Sequence, residues 1–244
     1  MSPDPLDNLV WHALKSEQKL LSEESSNGCA VRFRPDVSPF CGMRDESEES
    51  WAGLSELTGS EGVALLMGPK LSAIPPDWEL LLAEVATQWL PRNLPLIDPH
   101  TSTNTTTAEF FPLQDEDVPE MLALAEMTEP GPFMRRTIDT GCYVGLRREG
   151  ELIAMAGERM RSGDWIEVSA VCVHPEAQRE GLGARLTLAV AESIQMQGKR
   201  PMLHVREGNE AAIALYRRIG FEFRQERYVY ALRPLRKVAD STTD

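Results

Sequence analysis

An apolar run gives way to a glycine-punctuated loop and then to a helical pattern at Val171-Cys172-Val173-His174-Pro175-Glu176-Ala177-Gln178-Arg179-Glu180-Gly181-Leu182-Gly183-Ala184. The chemistry such a stretch can do is anion binding. Glycine lets the backbone approach a ligand closely, and the first turn of a helix carries amides with no intrahelical acceptor. Together with the positive end of the helix dipole they suit a pyrophosphate. Gly-x-Gly alone is also an ordinary tight turn. The stretch lacks the third glycine of a dinucleotide fingerprint and the Gly-Lys-Ser/Thr of a P-loop. Arg179 can add a charge-assisted contact to phosphate, whereas Arg185 reads equally well as a solvated side chain.

A second constellation lies at Asn209-Glu210-Ala211-Ala212-Ile213-Ala214-Leu215-Tyr216-Arg217-Arg218-Ile219-Gly220-Phe221. Asn209 suits an N-cap and Gly220 a helix stop. Asn209, Ile213 and Tyr216 share one helix face, and Ala212, Leu215 and Ile219 form a neighbouring stripe expected to face the core. Glu167 stands on a predicted strand, Asp164 to Val173. Alternation puts it on one face with Ser169, Val171 and Val173, opposite Ile166, Val168, Ala170 and Cys172. A carboxylate among apolar neighbours needs a purpose or a partner: either it accepts a proton, or it pairs with an arginine at the wet end of the strand. His174, before Pro175, reads as structural. His204 ends a strand, where it either reaches a pocket or caps a sheet edge.

Gln178-x-x-Gly181-x-Gly183 after a strand resembles the coenzyme A loop of the GNAT superfamily of N-acetyltransferases, and the Asn209-to-Phe221 stretch resembles its second signature. The resemblance covers about residues 107–233, and the whole chain looks like the FR47-like and glycine acyltransferase-type group, whose catalytic half follows a degenerate half-domain. It implies an α/β (α+β) GNAT fold: a mixed central sheet flanked by helices, preceded by a smaller mixed α/β domain. It implies acetyl-CoA as donor cosubstrate, held by Val171, Cys172, Val173, Gln178, Arg179, Glu180, Gly181, Leu182, Gly183, Ala184, Asn209 and Tyr216. The strand ending at Val173 would splay from its neighbour at a bulge, take the cofactor's arm in the gap and offer a backbone amide to the oxyanion. Tyr216 would protonate the leaving thiolate, and Glu167 would be the base that frees a primary amine on a small molecule or peptide. Transfer would be direct, without an acyl-Cys172. Two alternatives stay open: a module that binds CoA or acyl-CoA with little turnover, and transfer from a longer acyl-CoA.

These residues need elements to position them. Strands are expected at Cys142 to Arg147, Glu151 to Glu158, Pro201 to Val205, Phe221 to Phe223 and Arg227 to Leu232, and helices at Asp115 to Met127, Phe133 to Asp139 and Ala177 to Gln197. Earlier in the chain, Leu6 to Leu21 follows a helical period, Cys29 to Arg34 and Val63 to Met67 read as strands, and Arg44 to Ser60 begins as an acidic loop. Trp78 to Leu90 fits either one helix face or two strands. Residues 98–107, Asp-Pro-His-Thr-Ser-Thr-Asn-Thr-Thr-Thr, are polar and aperiodic. The expected division is therefore 1–98 as a degenerate GNAT-like or accessory domain, 99–107 as linker, 108–234 as the acetyltransferase domain and 235–244 as a polar tail. The first half has no second glycine cradle.

Composition narrows the classes further. The 244 residues carry 38 acidic against 25 basic side chains, a net charge of -13, which argues against nucleic acid as a partner. No apolar run approaches the roughly 20 residues of a membrane span, and the first residues lack the pattern of a secretory signal, so a cytoplasmic protein away from membranes is expected. Four cysteines without a C-x-x-C pair and four scattered histidines predict free thiols and no metal site. A homodimer is compatible with all of this.

Overall fold

The computed structural model describes residues 4–92, 94 and 110–235. The expected linker at 99–107 lies outside them, as does the tail from 236 onward.

The described residues form one mixed sheet of eleven strands: β1 (Ser22–Glu24), β2 (Ala30–Phe33), β3 (Phe40–Met43), β4 (Ala64–Gly68), β5 (Trp78–Pro91), β6 (Phe111–Pro112), β7 (Tyr143–Arg148), β8 (Glu151–Ser162), β9 (Trp165–Val173), β10 (Arg200–Arg206) and β11 (Phe221–Pro234). Their order is β1-β2-β3-β4-β11-β5-β10-β9-β8-β7-β6. The pairs β3–β4 and β9–β10 are parallel. Each is joined through a helix, as a parallel crossover requires: α2 (Glu48–Thr58) and α4 (Leu182–Met196). The other α-helices are α1 (Leu9–Lys15), α3 (Val118–Thr128) and α5 (Glu210–Arg218).

Trp78–Pro91 is a single strand, not a helix and not two strands. Its far end pairs with both β10 and β11, which satisfies its backbone on both edges. Its near end leaves Leu80, Leu81 and Leu82 exposed, and that mixture of environments blurs its periodicity. The predicted strands at 221–223 and 227–232 merge into β11, with a register shift between Phe223 and Gln225. The first helix is shorter than its pattern: α1 ends at Lys15, and 3-10 turns flank it at Pro5–Asn8 and Lys19–Leu21. The acidic stretch after Arg44 becomes α2, capped by the Ser47 side chain, which accepts from Ser50 N. Phe133 to Asp139 yields only a 3-10 turn at Thr137–Thr140.

The main core lies between the sheet and helices α4 and α5, where Leu182, Leu186 and Ala189 are buried with Ile166, Val168, Leu203 and Trp89. Beneath α3, Met121 and Leu124 pack on Tyr143, Met155 and Cys172. α1 covers a further cluster with Phe33, Phe40, Met160 and Met202.

Candidate active site

Two departures from regular pairing build the site. Along β9, Ser169 faces Gly157 and Cys172 faces Met155 on β8. Two residues of β9, Ala170 and Val171, thus oppose the single Ala156, and Ala170 has φ +50°. This bulge reverses the alternation. Ile166 and Val168 before it, and Val171 and Val173 after it, all pack toward α4, while Ala170 and Cys172 pack toward α3. The expectation that Glu167 shares a face with Val171 and Val173, opposite Cys172, is therefore corrected; a bulge re-aims every side chain that follows it. The second departure is between strands. β10 pairs with β9 only as far as Leu203 opposite Val168. Beyond that point the backbone of residues 169–173 has no β10 partner among the described residues.

The gap opens into a cavity of about 730 Å³. β9 contributes Val168 to Val171, β10 and its loop contribute His204 to Asn209, and α5 contributes Ala212 and Tyr216. The far wall comes from the first half of the chain through Phe40, Leu65, Met67 and part of β5. Gly183 stands behind the bulge: a Cβ on it would lie 4.0 Å from Val171 Cγ1, 3.9 Å from Val173 Cγ2 and 3.3 Å from Leu215 Cδ1. The cavity and the start of α4 thus share a wall. Gly181 caps that helix with φ +79°, and Arg179 before it has φ +67°. Leu182, Gly183 and Ala184 then present first-turn amides that the helix does not satisfy, which is what a phosphate needs. Glu180 points away to Arg148, with contacts of 2.6 and 3.2 Å. His174 takes the structural role, its Nδ1 accepting from Glu176 N.

Asn209 caps α5, accepting from Ala212 N at 3.1 Å, and lines the cavity beside Tyr216. The face that carries Ile213 and Tyr216 is the buried one, and Ala212, Leu215 and Ile219 are only partly covered, the reverse of the expected orientation. Burial pushes the Tyr216 phenol up to about 12, so it keeps its proton at neutral pH. Burial also raises the Cys172 thiol, to about 12, so Cys172 is no nucleophile at neutral pH.

Glu167 is 1% exposed and sits behind the cavity wall. Arg159 donates to it twice, Nε to Oε2 at 2.9 Å and Nη2 to Oε1 at 2.7 Å. His204 Nδ1 lies 2.8 Å from Oε1. Burial alone would raise this carboxyl. The Arg159 charge and the hydrogen bonds from Arg159 and His204 outweigh it and hold the group down at about 2. Behind His204, Gln88 Oε1 accepts from Arg224 and Gln225. Its amide nitrogen therefore faces His204 Nε2 at 3.0 Å as a donor, which leaves the imidazole hydrogen on Nδ1, pointing at Glu167. This geometry runs against Glu167 as base: Arg159 and His204 take three of its roughly four acceptor positions, and the side chain does not line the cavity. The reading it supports is the paired one, although buried and not at a wet strand end. Sequence reasoning missed Arg159 and Gln88; a register shift in β8 between Glu158 and Arg161 hides Arg159 from alternation.

Among the described residues no three His, Cys, Asp or Glu side chains come together as metal ligands, and no helix is long and apolar enough to cross a membrane.

The family model for FR47-like proteins matches residues 143–230. Mycothiol acetyltransferase of Streptomyces avermitilis is 30% identical over 152 residues, which is 56% of this chain and 49% of that protein. Mycothiol acetyltransferase of Paenarthrobacter aurescens is 34% identical over 131 residues, 46% of this chain and 41% of that protein. The chain thus spans about half the length, or less, of these curated relatives. A solved GNAT-family structure from Novosphingobium aromaticivorans is 34% identical and superposes with a TM-score of 0.83, covering 96% of this chain and 100% of that one.

Proposed function

This chain belongs to the GNAT family, and on that footing we propose that it moves an acetyl group from acetyl-CoA directly to a primary amine on a small molecule or peptide. The observation that carries the reading is the gap between β9 and β10, which joins the glycine-started α4 to a cavity lined by Tyr216. The cradle fits the donor: first-turn amides of Leu182 to Ala184 for the pyrophosphate, with Gln178 and Arg179 beside them, and the unpaired β9 edge with Asn209 for the extended arm. When bound, acetyl-CoA supplies the thioester.

Three tasks then fall to the chain. The bulged backbone near Val171 donates a hydrogen bond where negative charge develops. Tyr216, held neutral by burial, gives a proton or a hydrogen bond to the departing sulfur. A free thiol is more acidic than this phenol in water, so the favourable contribution is a hydrogen bond to the sulfur as its negative charge develops. Glu167 positions Arg159 and His204. The curated relatives are named for mycothiol; the acceptor of this chain is proposed only as far as its amine. Release of free thiol from acetyl-CoA against a panel of primary amines tests the reading. Amine-dependent release supports it. CoA binding without release from any amine or longer acyl-CoA would favour a binding module.

A further inference from the structure

His204 and Gln88 meet at the seam between the two halves of the chain, and each fixes what the other can carry. Gln88 is fully buried, and all four of its amide positions are taken. Oε1 accepts from Arg224 Nη1 at 2.6 Å and from Gln225 Nε2 at 3.2 Å. Nε2 donates to Leu6 O at 3.3 Å and to His204 Nε2, 3.0 Å away. Turned over, the amide would set N–H against the Arg224 guanidinium and oxygen against the Leu6 carbonyl, so its orientation is locked from both ends. The ring nitrogen it faces must then accept. The other, Nδ1, lies 2.8 Å from Glu167 Oε1, and the imidazole is only 5% exposed.

Histidine is the side chain whose charge changes most readily in the physiological range. A proton added to Nε2 here would set two donors against each other in a buried place, where an unmade hydrogen bond is costly. Among the described residues Nε2 has no partner besides Gln88. Of the charged groups around the ring, Glu167 of β9 faces Nδ1 and is itself held by Arg159 of β8. Glu84 of β5 pairs with Arg206 of β10 at 3.2 Å. Beyond Gln88 stand Arg224 and Arg227 of β11, with Asp7 of the N-terminal turn and Asp4, which caps it. Asp4 and Asp7 hold Arg224 at 2.8 and 3.0 Å, and Leu6 between them packs in one cluster with Phe40 and Met67, which line the far wall of the cavity. We propose that Gln88 and His204 form an acid-sensitive latch: uptake of a solvent proton at His204 Nε2 breaks the Gln88 amide from Arg224, Gln225 and Leu6, and so loosens the N-terminal turn behind the cavity's far wall. The latch stands on this geometry alone and does not depend on the acetyl-transfer reading.

The test follows the full chain by nuclear magnetic resonance as the pH is lowered. Imidazole nitrogen signals, assigned to His204 by their loss in His204→Gln, read which ring nitrogen carries hydrogen. Backbone amide signals of Leu6 and Asp7 read the turn. The expected result is a His204 ring with hydrogen on Nδ1 alone, then proton uptake at Nε2 and a shift of the Leu6 and Asp7 amides at one shared midpoint. His204→Gln, which keeps a donor and an acceptor but does not titrate, should lose the amide shift at that midpoint. Gln88→Glu supplies a carboxylate that accepts from Nε2–H as well as from Arg224. Its ring should be doubly protonated where the wild-type ring is still neutral, and its Leu6 and Asp7 amides should hold still through the wild-type midpoint. Proton uptake that leaves Leu6 and Asp7 unmoved overturns the proposal, as does a ring that stays singly protonated until the whole protein unfolds. An amide shift that persists unchanged in His204→Gln would assign it to the carboxyls of Asp4 and Asp7 and would also overturn it. Melting temperatures establish that the variants are folded; if Gln88→Glu is not, the wild type and His204→Gln still decide the outcome.

Discussion

A carboxylate that receives two bonds from Arg159 and one from His204 has three of its roughly four acceptor positions taken and, being buried, does not line the cavity; its ionisation reflects that. The carboxyl of Glu167 is depressed from the ordinary range to about 2, so it stays charged across any pH at which the enzyme would be assayed. Glu167→Gln should therefore leave the shape of the pH–rate profile unchanged, apart from a loss of folded protein. A depressed folded pKa contributes stability that is complete above the unfolded value of about 4.3 and is lost as pH falls toward the folded one. Removing the charge strands a buried Arg159, a change worth about 3–5 kcal/mol. Denaturation at pH 7 and at pH 3 checks this: the gap between wild type and variant should be largest at pH 7 and shrink at pH 3. Disappearance of an acidic limb in the variant's rate profile would restore Glu167 as the base. Tyr216→Phe tests the other role. The ring and its packing against Phe221 stay, and only the donor goes. Turnover should fall about 100-fold, measured where chemistry limits, with CoA affinity kept.

The start of α4 combines a backbone demand with a steric one, and they separate by mutation. Gly181 needs its glycine for φ +79°, since a Cβ there would meet open space. Gly183 needs it for room and for the absence of charge, because Leu215 closes in at 3.3 Å and the first-turn amides face the proposed phosphates. Gly183→Asp should weaken CoA binding at least tenfold, about 1.4 kcal/mol, by calorimetry. Gly181→Ala should cost about 1 kcal/mol of stability through strain and change affinity less. These elements were legible in the sequence because local signals define them: Asn209 and Gly220 bracket α5, and two glycines open α4. What was not legible depends on partners distant in sequence. The bulge at Ala170 exists because β8 and β9 differ by one residue in register, so alternation alone set Ala170 and every residue after it, Val171, Cys172 and Val173, on the wrong faces. Strand β5 looked ambiguous because its neighbours, β10 and β11, come more than a hundred residues later. Arg159 gave no sign of itself, since only the fold sets it against Glu167.

Across the whole molecule, the strand order shows why the two halves should not be independent. The first half runs β1-β2-β3-β4 and then takes β11 as its next strand; the second runs β7-β8-β9-β10 and then takes β5. Each half thus gives its last strand to the other, and β5 and β11 pair with each other at the junction. The N-terminal segment reinforces the exchange. Asp7 accepts from Gln225 and Arg227, and Leu6 O accepts from Gln88 and Arg227, behind the Gln88–His204–Glu167–Arg159 chain that backs the cavity. Expressed alone, residues 1–98 would hold β4 and β5 without the strand that joins them, and residues 108–244 would hold β10 and β11 with the gap of β5 between them. Exposed edges of that length invite aggregation, and neither fragment buries the cores that β5 and β11 complete. The expected outcome is that each fragment alone is insoluble or lacks a cooperative melting transition, whereas the two co-expressed assemble into a complex that binds one CoA. A fragment 108–244 that is soluble, monomeric and melts cooperatively would show that the second half closes its own sheet, and that the exchange of strands is not what holds the cavity's far wall in place.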